Sequence, residues 1–137
     1  MRCKYIHFCL GYKSDLMINY INSLSISTRL TYTVENEDSL LGTGGAIKNA
    51  SNDLEDHFIV QYGDSLLDLN YQVFFAHHLH LKKDMTMSIL HSDKTNEKPN
   101  IFCEEDKNDN CQFLYNKFNP HEKANFIDYG AIAFKKS

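Results

Sequence analysis

Three glycines fall within four residues in Leu41-Gly42-Thr43-Gly44-Gly45-Ala46-Ile47, and an apolar run, Phe58-Ile59-Val60-Gln61-Tyr62, follows and stops at Gly63-Asp64-Ser65. The first segment reads as a turn opening a short helix, and the second as a buried strand. A turn without side-chain bulk lets a ligand approach the backbone. A carboxylate at the tip of the next strand can hold a divalent cation beside phosphates. In this order the two elements point to a nucleotide-handling site. The plainer alternatives are a tight turn with close helix–sheet packing for the glycines, and a turn or cap residue for Asp64. The spacing is neither G-x-G-x-x-G nor the P-loop pattern, so neither of those mechanisms transfers directly.

The flanking sequence supplies the scaffold. Residues 4–10 read as a buried strand, and Ser14-Asp15 can cap a helix over 16–24 with Leu16, Tyr20, Ile21 and Leu24 on one face. Alternation of Leu30, Tyr32 and Val34 predicts a strand over 29–34. A short helix over 44–50, a strand over 57–62, a helix over 71–82 and a strand over 85–91 complete three strand–helix repeats. That alternation predicts an α/β fold with a Rossmann-like, mostly parallel sheet and flanking helices. From Ile101 on, 101–103, 111–115 and 126–134 read as strands joined by polar loops, which predicts an antiparallel or mixed edge. The acidic loop 104–110 lacks the ligand order and central glycine of an EF-hand, so a solvated hairpin turn is the better account.

Composition narrows the function classes. A chain of 137 residues fits one domain, residues 1–137, and 42% hydrophobic with 23% charged residues is ordinary for a globular protein. A net charge of -4 with scattered Lys and Arg argues against general nucleic-acid binding. No apolar run approaches the roughly 20 residues of a membrane span, so no membrane partner is expected. The four cysteines, Cys3, Cys9, Cys103 and Cys111, show no C-x-x-C pair, and reduced thiols in a cytoplasmic protein are the expectation. In His77-His78-Leu79-His80, exposed histidines on a solvated helix face are favoured over a metal pair. Asp68 reads as a residue approaching the helix and not as a second metal ligand.

In an open parallel sheet, ligands bind beyond the carboxyl ends of the strands, which is where both the glycine turn and Asp64 would fall. Glu37 with Leu41 to Ile47, followed by the strand ending Gly63-Asp64-Ser65, resembles the sugar-phosphate nucleotidyltransferases, in particular the heptose- and mannose-1-phosphate guanylyltransferase-like members. The upstream run Ile6 to Tyr12 and the late run Phe126 to Phe134 extend the resemblance over essentially the whole chain. It implies transfer of a nucleotidyl group from an NTP to a sugar-1-phosphate, with Mg2+ as cofactor and pyrophosphate released. By the same resemblance, the backbone of Leu41, Gly42 and Thr43 contacts base and ribose, and Asp64 is the metal ligand and a catalytic residue. Lys117 is the second catalytic residue, beside the sugar phosphate, and Asn100 and Gly130 line the sugar site. Glu97-Lys98-Pro99 spells a tripeptide of that family but follows the strand over 85–91 too closely, and reads as a turn. Asn116-Lys117-Phe118 fits the position better, with Asn116 in place of the family's glutamate.

The resemblance begins at the family's second strand. No G-x-G-x-R run is present, and the chain stops at Lys135-Lys136-Ser137, before a further metal-binding acid would come. The expectation is therefore a partial nucleotidyltransferase domain, inactive or weakly active by itself. A non-catalytic nucleotide-sugar-binding or regulatory module is the second reading, and an unrelated α/β domain with a structural glycine turn is the third. Base, sugar and oligomeric state are left open.

Overall fold

The computed structural model describes residues 3–105 and 111–136, which pack as two compact units. The first runs up to Asp56 and includes Lys136, and the second runs from His57 to Lys135. In the first, β1 (Tyr5–Leu10), α1 (Ser14–Ser23), β2 (Arg29–Val34) and α2 (Gly42–Ala50) follow in order, with a 3-10 turn at Ser51–Asp53. β1 and β2 pair in parallel from Tyr5↔Arg29 to Leu10↔Val34, joined by α1 as a parallel pair requires. α2 packs on both strands, and its last residue, Ala50, has no exposed surface. One face of the pair carries a polar ladder: the Tyr5 hydroxyl and His7 Nδ1 both meet Thr31 Oγ1 at 2.8 Å, and His7 Nε2 lies 3.2 Å from Thr33 Oγ1.

Both helices of this unit begin two residues before their predicted starts. α1 opens after Lys13, which is left-handed at φ 53 and offers no side-chain cap, so Ser14 and Asp15 lie in the first turn. The helix buries Ser14 and Ile21, while Leu16 and Tyr20 are 65% and 60% exposed. Two stripes of helical spacing compete here, and the one that starts at the small Ser14 faces inward. Apolarity alone favoured the other.

The second unit comprises β3 (His57–Gln61), α3 (Tyr71–Leu81), β4 (Met85–His91), β5 (Ile101–Glu105), β6 (Cys111–Tyr115) and β7 (Phe126–Lys135). β7 is the central strand. It pairs antiparallel with β3, from His57↔Lys135 to Gln61↔Ala131, and antiparallel with β4, from Met85↔Phe134 to His91↔Phe126 with an irregularity between Met87 and Ile89. β5 joins β7 at Ile101↔Phe126 and pairs antiparallel with β6. This corrects the expectation of a mostly parallel sheet: β1 and β2 are parallel, but every described pairing in the second sheet is antiparallel. β7 is also no edge. Its run Gly130-Ala131-Ile132-Ala133 is buried throughout, as befits a strand covered on both faces. Ala131 and Ala133 are small enough to let Phe74 of α3 approach, and Ile59, Leu67, Leu69 and Tyr71 complete that cluster. Ile101 is fully buried at the head of β5.

Two side-chain expectations also change. His77 and His80 are exposed, as the sequence suggests, but His78 between them is wholly buried. Its Nε2 lies 3.1 Å from His57 Nδ1 and its Nδ1 lies 2.9 Å from Thr86 Oγ1, so it ties α3 to β3 and β4. Lost hydration first, and then the neighbouring His57, hold its pKa below the ordinary 6.5. Cys3 and Cys9 are free thiols, whereas Cys103 is disulfide-bonded, against the expectation of four reduced cysteines. The acidic loop considered for calcium lies largely outside the described residues. Among the described residues, no helix is long and apolar enough to cross a membrane.

Candidate functional site

In the first unit, the glycine turn is built where the two parallel strands end. The backbone N–H of Glu35 donates to Leu10 O at 2.8 Å, which closes the ladder. Five residues of loop follow, tightened by Asn36, whose Oδ1 accepts from Asp38 N–H at 2.9 Å. Leu41 then enters α2 in helical geometry with no cap from its own side chain. Its N–H instead donates to Glu35 Oε2 at 2.8 Å. Gly42 has φ +69, in the left-handed region where a Cβ is strained. Gly45 sits so close to Leu41 that an added Cβ would lie 2.5 Å from the Leu41 Cβ. Gly42 and Gly45 are thus needed for the turn itself, as the plainer alternative required, whereas nothing lies within 4 Å of a Cβ built at Gly44. Gly42 also fronts an open cleft of about 240 Å3, lined among others by Leu10, Tyr12, Leu40 and Thr43, in which Glu35 is the sole charged lining residue among the described residues.

Glu37, the acid that the resemblance grouped with the turn, does something else. Its Oε1 accepts the N–H of Lys13 at 2.6 Å and so holds the β1–α1 turn. Glu35 is the residue that sequence reasoning missed, and its position directly after an alternating strand was the available signal. Cys9 also borders the cleft, where burial, and to a lesser degree Glu35, push its thiol pKa up against a lowering hydrogen bond from Thr33.

In the second unit, β3 ends at Gln61, and Asp64 is exposed three residues later. The Ser65 hydroxyl donates to Asp64 Oδ1 at 3.2 Å. Gly130 lies against the same residue: its φ is +98, and an added Cβ would meet Ser65 at 3.4 Å and Leu67 at 3.6 Å. Tyr62 N–H donates to Gly130 O at 3.2 Å. The structure therefore brings Asp64 and Gly130 together through Ser65. Asp128, which the sequence did not single out, organises this corner. Its Oδ1 accepts Gly130 N–H at 2.8 Å and its Oδ2 accepts the Tyr62 hydroxyl at 3.2 Å. Burial first, and then Asp128, raise the Tyr62 pKa from 10.0 to about 12. An Asp two residues before a glycine is a recognisable turn signal, although nothing local predicts its Tyr62 partner.

The other nominated residues are less integrated. Asn100 pins β5 to β7 with its N–H on Phe126 O at 2.9 Å, and its carbonyl takes Asn116 N–H at 3.0 Å. Its Oδ1 is buried without a partner, as is Asn125 Oδ1 at the head of β7. Asn116 Oδ1 accepts from Phe118 and Asn119 N–H at 3.1 and 2.9 Å, forming a turn on which Lys117 is exposed. No hydrogen bond or ion pair among the described residues links Lys117 to Asp64 or Gly130. Asp68 contributes its N–H to the Tyr129 hydroxyl at 3.2 Å, and Asn70 caps α3. Among the described residues, no group of three or more His, Cys, Asp or Glu is arranged to hold a metal.

No protein-family profile matches the chain. Over 80 residues it is 31% identical to D-glycero-alpha-D-manno-heptose 1-phosphate guanylyltransferase of Aneurinibacillus thermoaerophilus, a stretch covering 58% of this chain and 34% of that protein. Its fold matches crystal structures of HddC from Yersinia pseudotuberculosis with TM-scores of 0.69 and, for the complex with GMP-PN, 0.68. Both share 24% identity and cover 97% of this chain but 56% of the HddC chain. The chain thus spans about a third of the curated relative and little more than half of the solved ones. The resemblance read from the sequence stands, in sequence with the first and in fold with the second.

Proposed function

We propose that the chain is part of a sugar-1-phosphate nucleotidyltransferase, one that takes a guanine nucleotide and a sugar-1-phosphate and gives a nucleotide-sugar and pyrophosphate. The observation that carries the reading is the glycine turn fronting a mainly apolar cleft in the first unit. A cleft whose only charge among the described residues is the Glu35 carboxylate suits an uncharged ring and repels phosphate, so it takes the base, with Gly42 and Thr43 at the ribose end and Leu41 beside them. Guanine is the preferred base because the sequence relative is a guanylyltransferase and one solved relative holds GMP-PN.

In the second unit, Asp64 is the proposed catalytic carboxylate and metal ligand. A lone exposed carboxylate is a fit for Mg2+, which keeps several waters and takes one or two protein carboxylates alongside substrate phosphates. When bound, the ion would neutralise charge on the phosphates during transfer. Asp64 orients on Ser65, and Gly130, packed against Ser65 and Leu67, is the proposed sugar-site residue beside it. Asn100, with a buried unpartnered oxygen, is a proposed acceptor for a sugar hydroxyl, and Lys117 an exposed cation proposed for the sugar phosphate. A soluble, cytoplasmic setting goes with this substrate class.

The test is binding and turnover with the purified chain. GTP and a GDP-sugar should raise its melting temperature in a Mg2+-dependent way, and Asp64→Asn should remove the Mg2+ dependence. No response to any nucleotide would refute the reading. Binding without pyrophosphate release from GTP and a sugar-1-phosphate would instead favour the nucleotide-sugar-binding module.

A further inference from the structure

Glu35 is fixed at both ends. Its backbone N–H is the last rung of the β1–β2 ladder, on Leu10 O at 2.8 Å, and its Oε2 accepts the Leu41 N–H at 2.8 Å. The side chain therefore spans from the rigid parallel pair to the entry of α2. Leu41 cannot cap the helix it opens, since its side chain carries no acceptor, and the N–H groups of a first helical turn have no partners within the helix. A carboxylate bonding to such an N–H is stronger than a neutral acceptor. It also complements the positive end of the helix. The next residue, Gly42, is left-handed at φ +69, and Gly45 packs on Leu41. Where Leu41 is held decides where the whole turn lies. Glu37 makes the corresponding bond to a different turn, to Lys13 N–H at 2.6 Å, so the two acids of this loop have separate tasks.

We propose that Glu35 is the positioning residue of the glycine turn, setting the geometry in which Gly42 and Thr43 meet the nucleotide. The proposal rests on the nucleotide-binding reading above, and it makes a local claim that can be measured without any ligand. Gln at position 35 keeps an acceptor of the same reach, whereas Ala removes it.

Amide hydrogen exchange on the full chain compares Glu35→Ala, Glu35→Gln and Glu37→Ala with the parent. Loss of a charge-assisted bond should speed exchange at Leu41 by about tenfold or more in Glu35→Ala, while the amides of β1 and β2 keep their protection. Glu35→Gln should restore most of the protection, and Glu37→Ala should leave Leu41 unchanged. GTP affinity should follow the same order, falling roughly tenfold in Glu35→Ala and by less than about threefold in Glu35→Gln. Unchanged Leu41 exchange in Glu35→Ala overturns the proposal, as does a uniform rise through β1 and β2, which would mark Glu35 as a general stabiliser. Faster Leu41 exchange with unaltered GTP affinity overturns it too, because the turn would then be ordered without consequence for the ligand. If the parent itself binds no GTP, the nucleotide reading fails. Leu41 exchange then still decides whether Glu35 orders the turn.

Discussion

Replacing Gly45 by alanine adds one methyl group at a known place. Its Cβ would lie 2.5 Å from the Cβ of Leu41, whereas non-bonded carbons prefer about 3.5–4.0 Å. The shortfall is roughly 1 Å or more. Leu41 cannot relieve it by changing rotamer, because its Cβ is fixed to the backbone. Either the start of α2 must move, or Leu41 must pull away from Glu35. Strain of this kind typically costs about 1–3 kcal/mol. Gly44, one residue earlier, is the internal control. Nothing lies within 4 Å of a Cβ built there, and its φ is not in the left-handed range. Alanine at that position should stabilise the helix by about 0.5–1 kcal/mol.

Two neighbouring substitutions of equal size should therefore differ by about 1.5–4 kcal/mol, in opposite directions. Urea unfolding followed by circular dichroism would show this as midpoints separated by on the order of 1 M, given slopes of about 1–3 kcal/mol/M. Because the chain packs as two units, exchange of the β1 and β2 amides should be followed alongside, to assign the change to the first. Equal midpoints for Gly44→Ala and Gly45→Ala would refute the packing argument. So would a greater loss at Gly44.

Three further outcomes are expected in the second unit. Ile101→Ala, at a side chain with no exposed surface, should cost about 2–5 kcal/mol in urea unfolding; a loss under about 1 kcal/mol would mean the site collapses around the gap. His78 titrates below the ordinary 6.5 when folded. As pH falls through 6.5, the unfolded chain takes a proton that the folded chain refuses, so stability should drop by up to about 1.4 kcal/mol per pH unit. His78→Gln should flatten that slope, measured as urea midpoints between about pH 7.5 and 5.5, and an unchanged slope would remove His78 as its source. Asp128→Ala leaves Gly130 N–H and the Tyr62 hydroxyl without their acceptor and should cost about 1–3 kcal/mol. Difference titration of phenolate absorbance against Tyr62→Phe should show the Tyr62 pKa moving down from about 12 towards 10.0. A pKa left near 12 would remove Asp128 as a cause of the shift.

Much of the fold was legible because strands announce themselves locally. The ranges 29–34, 85–91 and 111–115 match β2, β4 and β6 residue for residue. What failed was pairing. Phe126 to Phe134 reads as a strand by composition, but whether it closes an edge or divides two other strands depends on partners far away in the chain. Its alanines were the available hint, since Ala131 and Ala133 share one face of the strand and leave room there for something to pack closely. The buried His78 failed for a related reason. A histidine inside a His-His-Leu-His run carries no sign of the His57 and Thr86 that meet it from other strands. Glu35 was passed over in favour of Glu37, two residues on in the same loop and equally acidic. Only the backbone path decides which carboxylate reaches Leu41.

The corner at Asp64 shows why sequence can name the members of a site and miss the site. β7 runs opposite to β3, so Gln61 at the end of β3 faces Ala131 near the middle of β7. The residues just before Ala131 are therefore carried past the end of β3, where Tyr62 N–H finds Gly130 O and the Tyr62 hydroxyl finds Asp128. Were β7 parallel to β3, the end of β3 would instead face residues towards Lys135, and Asp128 would lie at the far end of the sheet. The same strand direction that overturns the parallel-sheet expectation is what gathers Asp64, Ser65, Asp128 and Gly130. Asp64 is recognisable from its own strand and Gly130 from its own. Asp128 acquires a role only once the two strands are known to be antiparallel, because its carboxylate fixes the left-handed Gly130 and the end of β3 together.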